Sequence, residues 1–218
     1  MNSRSAVGGP GATSNVPVGW LQSAVFALDR RIRHHLGVYE YTFHPQCLFR
    51  LQLVHVDDPL LLADGTTVAP GSRVLALHLW NERMPVMGPL GPTLARARKC
   101  DRAIHASLRE LARYLAAQPS LRDIAAVCGD MPVTGAAQAK QLARIMARYG
   151  FEAAVGTADR RSAIHRFGDA VLVLMLVLAT NPCVARSAVL RCCNIRLFLS
   201  RAALERRYTE SMRAVGQA

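Results

Sequence analysis

"RVLALHLWNE", residues 73–82, is the stretch on which the fold turns. Its side chains alternate, with Val74, Ala76, His78 and Trp80 on one face and Leu75, Leu77 and Leu79 on the other. A period of two is that of a β-strand, and the leucine face is the one a core would cover. The strand ends on His78, Trp80, Asn81 and Glu82: an imidazole, an indole, an amide and a carboxylate close together. Such a group either lines a ligand site, where an aromatic and a few polar groups fix orientation, or closes a strand whose core lies elsewhere.

Working outward, "CLFRLQLVHV" (47–56) predicts a preceding strand, and Asp64-Gly65 and Pro70-Gly71 are turn signals of a hairpin-like unit between the two. Downstream, a proline- and glycine-rich loop leads into an amphipathic helix over residues 94–117, with Ile104, Leu108, Leu111 and Leu115 on one face. "IAAVCG" (124–129) predicts a short buried strand. "GAAQAKQLARIMARYG" (135–150) predicts a second helix with Leu142, Ile145, Met146 and Tyr149 facing in and Gly150 as its stop, and "FEAAVG" (151–156) another strand. Upstream, residues 1–18 are small, polar and glycine-rich and read as a disordered arm, and Trp20, Leu21, Ala24, Val25, Leu28, Ile32 and Leu36 recur at helical spacing up to Gly37. Strands and helices alternate without a regular βαβ repeat. The expected class is therefore α+β: a small mixed sheet packed with two amphipathic helices, and a C-terminal apolar and basic helical segment. Three parts follow: the arm (1–18), an α+β domain with an N-terminal helix (19–157), and the C-terminal segment (158–218).

The chain carries a net charge of +12, with only Lys99 and Lys140 as lysines. Half of that excess, ten arginines against four acids, lies in residues 158–218, which indicates a local basic surface rather than a basic protein throughout. Six cysteines show neither C-x-x-C nor zinc spacing, and the start lacks a charged-then-apolar leader, so reduced thiols and a cytoplasmic protein are expected. His34 and His35 diverge on a helix and no H-x-x-x-H occurs; neither a metal nor a cofactor is expected.

Other candidate constellations are narrower. Asp101 and His105 are four apart on the long helix, the spacing of a carboxylate orienting an imidazole, but no nucleophile motif accompanies them. Gly135, Ala136 and Ala137 open the second helix, where backbone N–H groups could hold a phosphate. That segment distantly resembles the coenzyme A site of N-acetyltransferases, with Pro132 where their loop requires glutamine or arginine. An acyltransferase-like enzyme using coenzyme A or an acyl carrier protein is thus the alternative.

Residues 170–185 carry no charge. As a helix they would run ~24 Å, short of the ~30 Å hydrocarbon core of a bilayer, and Asn181-Pro182 interrupts them. They form either a buried core segment or a hairpin dipping into one leaflet. The following stretch, read as a helix with Leu190, Cys193, Leu197, Leu204 and Tyr208 near one face, spreads Arg191, Arg196, Arg201, Arg206 and Arg207 around the others. An apolar run beside a basic helix is the composition of an interfacial anchor on anionic lipid. Leu172, Leu174, Leu176, Arg191, Arg196 and Arg201 are the expected membrane contacts, and nucleic acid is not expected as a partner because aromatic interleaving is absent.

"ADGTTVAPGSRVLALHLWNE", "SLRELARYLAAQP", "DIAAVCG" and "YGFE" together resemble the YkoP-like domain family over residues 47–155, at Asp64, Gly65, Thr66, Gly71, Leu77, His78, Asn81, Ser107, Leu108, Gly129, Gly150, Phe151 and Glu152. Domains of that family stand alone or attached to polysaccharide deacetylases in bacterial envelope settings and lend no catalytic role to any residue. The resemblance implies an envelope context; together with the C-terminal composition it leads to the expectation of an accessory or binding protein of envelope polysaccharide or glycolipid metabolism, peripheral at the inner face of the membrane, with an anionic membrane surface and enzymes of that metabolism as partners. His78, Trp80, Asn81 and Glu82 are its expected ligand-binding group.

Overall fold

In the computed structural model the described residues are Ala27, Arg31 and residues 35–85, 93–133, 135–153 and 193–215. Strands β1 (Phe49–His55), β4 (Arg73–Leu79), β5 (Ala126–Val133), β6 (Glu152–Ala153) and β7 (Cys193–Ser200) form a mixed sheet in the order β1-β4-β5-β7-β6. A separate hairpin, β2 (Leu60–Leu61) and β3 (Thr67–Val68), joins β1 to β4. The helices are α1 (Leu94–Ala117), α2 (Ala136–Ala147) and α3 (Arg201–Val215). The α+β class holds.

Alternation in β1 and β4 decides how the layers stack. The two strands pair antiparallel from Phe49↔Leu79 to His55↔Arg73, which puts Leu51, Leu75 and Leu77 on one face. There they meet Leu108, Leu111 and Leu115 of α1, Leu197 and Leu199 of β7, and Leu204 and Tyr208 of α3. The crossover through α1 makes β4 and β5 the sheet's parallel pair. On the opposite face Val74, Ala126, Cys128 and Phe198 pack against Leu60, Leu62 and Val68 of the hairpin.

Polar pins lock this frame. Asp64 accepts the Ser200 hydroxyl and the Thr66 N–H, so the Asp-Gly turn is tied to the end of β7. The Ser200 oxygen in turn accepts the Ala203 N–H and caps α3. The Glu152 carboxylate accepts the Ala63 N–H at 2.9 Å, and the buried Ser107 hydroxyl accepts the Leu48 N–H at 2.8 Å. Gly150, at φ 97°, stops the turn after α2; a Cβ there would lie 3.2 Å from Leu199 Cδ1.

The structure corrects the C-terminal expectation. The basic helix expected from residue 187 is, over Cys193–Ser200, a strand, and a helix begins only at Arg201. β7 pairs with β5 along its full length, Val133↔Cys193 to Ala126↔Ser200, and carries β6 on its other side. The reason is its period of two: Ile195, Leu197 and Leu199 pack into the helix-side core, while Arg196, Phe198 and Ser200 face the other way. β5 likewise runs on to Val133 rather than ending at Gly129. Ile145, expected to face in, is 44% exposed, because α2 rides at the sheet margin over the two-residue β6. The arm 1–18 and the apolar run 170–185 lie outside the described residues; of the N-terminal helix only Ala27, Arg31 and His35 are described, all helical.

Candidate functional site

The second face of the sheet is apolar under the hairpin and polar beyond it. Val54↔Val74, Gln52↔Ala76 and Arg50↔His78 are successive same-face pairs of β1 and β4. β4 and β5 run parallel and pair as far as Ala76↔Cys128; His78 and Asp130 each follow two residues later on the same face of their strands. Asp130 in turn pairs with Arg196 of β7. Arg50, His78, Asp130 and Arg196 therefore form one row across four strands, with Gln52 beside it.

Each member is held. His78 Nε2 lies 2.8 Å from the Gln52 side-chain oxygen, and Gln52 Nε2 donates to the Leu36 carbonyl at 2.9 Å. The amide oxygen is thus an acceptor, and this assignment of the network puts the proton on His78 Nε2. Arg196 donates in bidentate fashion to Asp130, Nε to Oδ1 at 2.7 Å and Nη2 to Oδ2 at 2.9 Å, with the two side chains 31% and 28% exposed.

Trp80, expected in the ligand-binding group, is turned into the protein. Its ring is buried, with the Arg83 guanidinium carbon 3.3 Å and that of Arg50 4.2 Å from its centroid. Arg50 is buried too, and Glu40 and Glu82 lie 3.2 Å and 3.4 Å from its nitrogens. A buried guanidinium is tolerated only with such partners, so Glu82 acts as a counter-ion and Trp80 as a cation–π floor. Asn81 opens a single 3-10 turn, Asn81–Arg83, that ends β4. Of the four expected residues, His78 takes part in the polar row, and Trp80 and Glu82 support Arg50, the row's member on β1.

The other candidates separate. Asp101 accepts the Tyr149 hydroxyl at 2.7 Å and stands 4.0 Å from His105, whose ring meets Tyr149 edge-on at 5.2 Å. Burial, then the hydrogen bond to Asp101, pushes Tyr149 up to about 12. That constellation ties α1 to the turn after α2. Gly135, Ala136 and Ala137 are exposed, and among the described residues no side chain caps the start of α2. Arg196 belongs to the sheet, and Arg201 turns inward: it is 18% exposed, bonds Glu205, and donates to the Leu121 and Leu115 carbonyls, closing the end of α1. Both arginines are engaged in contacts within the fold. Leu172, Leu174, Leu176 and Arg191 lie outside the described residues. Among the described residues no helix is long and apolar enough to cross a membrane.

Arg50, Gln52 and Asp130 were missed. The alternation of "FRLQLVH" carries a signal for the first two, since Arg50 and Gln52 share a face between leucines. Asp130 has no local signal; cross-strand register alone brings it to the row.

No curated protein and no solved structure matches the chain. The family model described as the YkoP domain matches residues 29–208, continuing through β7 and into α3, well past the stretch carrying the visible motifs. With most of its length matched, and with both halves of the sheet inside that match, the chain belongs to the YkoP domain family.

Proposed function

We propose that this domain is an accessory binding module of bacterial envelope polysaccharide or glycolipid metabolism, peripheral at the inner face of the membrane, that holds a glycan headgroup at the polar end of its second sheet face. The observation that carries this is the row of His78, Asp130 and Arg196 with Gln52. Adjacent sugar hydroxyls each donate and accept, and a carboxylate, a guanidinium, an imidazole and an amide set at strand spacing offer both roles. Because these side chains are already held by hydrogen bonds, little rotamer entropy remains to be lost on binding. Trp80 contributes by fixing Arg50 rather than by touching the ligand.

The test is titration of isotope-labelled protein with envelope glycan fragments, followed by amide and imidazole shifts. Residues of the His78–Arg196 row should move together, and His78→Ala and Asp130→Asn should each abolish the response while thermal unfolding stays cooperative. Shifts scattered elsewhere, or none with any fragment, would remove the assignment.

A further inference from the structure

We propose that the outer face of α1, centred on Arg98, Arg102 and Arg109, is the surface through which this protein meets an anionic lipid bilayer. This rests on the peripheral-membrane part of the reading above and moves the contact away from the C-terminal arginines, two of which are engaged in pairs within the fold.

Positions 98, 102, 105 and 109 recur at helical spacing, so Arg98, Arg102, His105 and Arg109 form one stripe. The three arginines are exposed, and among the described residues none has a carboxylate partner; Arg109 Nε reaches only the His105 carbonyl, at 3.3 Å. Arg148, also exposed, joins them, because the neighbouring Tyr149 is anchored to Asp101 on this helix. Of the acids nearby, Glu110 is ion-paired with Arg113, while Asp101, bonded by the neutral Tyr149 hydroxyl, keeps its charge. Four exposed cations thus share a surface with one such carboxylate, which leaves it net positive.

Apolar exposure selects lipid over nucleic acid. Leu94, 68% exposed, precedes Arg98 by one helical turn on the same stripe, and Ile145, 44% exposed, precedes Tyr149 by four residues. Leucine and isoleucine among arginines, whose methylene stems are themselves apolar, suit the headgroup–acyl boundary. Single-stranded nucleic acid would call for accessible rings to stack on, whereas Tyr149 and Tyr208 are buried.

The experiment is co-sedimentation of the full chain with vesicles of phosphatidylglycerol in phosphatidylcholine, against phosphatidylcholine alone and against a DNA duplex. The variant R98Q/R102Q/R109Q is compared with R122Q/K140Q/R206Q, which removes equal charge elsewhere; circular dichroism checks that both fold. Each interfacial arginine contributes roughly five-fold, so the stripe variant should bind anionic vesicles about a hundred-fold more weakly. The control should lose far less, and Leu94→Gln should weaken binding without changing its salt dependence. Equal losses in the two triple variants, or wild-type binding by the stripe variant, would overturn the surface while leaving membrane attachment standing. Failure of the wild type to bind anionic vesicles would overturn both, and a preference for the duplex would reassign the stripe to nucleic acid.

Discussion

Replacing Ser107 by alanine removes one oxygen atom from the junction between α1 and β1, and the cost follows from two hydrogen bonds. The hydroxyl donates to the Ala103 carbonyl at 2.7 Å and accepts the Leu48 N–H at 2.8 Å, in a residue with no solvent exposure. The Ala103 carbonyl keeps its helical partner, the Ser107 N–H. Leu48 N–H is left without an acceptor, and an orphaned buried donor costs about 1–3 kcal/mol. Alanine returns about 0.5 kcal/mol through better helix propensity, and losing a single oxygen opens no cavity of consequence. The net loss should be about 1–2 kcal/mol. Urea unfolding should show a lower midpoint at unchanged slope, and the Leu48 amide should exchange faster with solvent. A loss under about 0.3 kcal/mol with the Leu48 amide still protected would refute the reasoning, since the desolvation cost of that N–H would then be absent.

Two pH predictions follow from the same frame. Tyr149 and Tyr208, both pushed up to about 12 chiefly by burial, are held neutral in the folded state, so their contribution is complete below the ordinary tyrosine value and is lost as pH rises through about 12; Tyr149→Phe should blunt the alkaline fall of the melting temperature, and an unchanged alkaline limb would count against this origin. The Ser200 hydroxyl holds Asp64 below its ordinary value, so hairpin docking is complete above that value and weakens as pH falls through the lowered one. Asp64→Asn should melt lower than wild type at neutral pH and show a flatter acid limb; parallel acid limbs for the two proteins would show that Asp64 does not link docking to pH.

What is periodic and local can be read from the order of the amino acids. The alternation of "RVLALHLW" set β4 and its core face, the apolar spacing of 94–117 set α1 to its last residue, and Asp64-Gly65 and Gly150 marked turns that the backbone makes. The motif residues Asp64, Ser107 and Glu152 were visible as well, though only contacts far along the chain reveal them as pins between elements. Tertiary structure decided the rest. "NIRLFLS" carries a strand period, but its leucines also match a helix with the flanking Leu190 and Leu204, and only pairing with β5 chooses between the two. The candidate site was half legible for a similar reason. His78 follows from alternation, but register alone sets it in a row with Asp130 and Arg196 and gives Arg50 the ring of Trp80. Whether an arginine is a surface charge or an internal strut is likewise a matter of where the chain returns: Arg201 closes the end of α1, while Arg98, Arg102 and Arg109, unremarked in the sequence, hold the exposed face. Charge and spacing are local properties, whereas partnership is set by which distant segments the fold brings together.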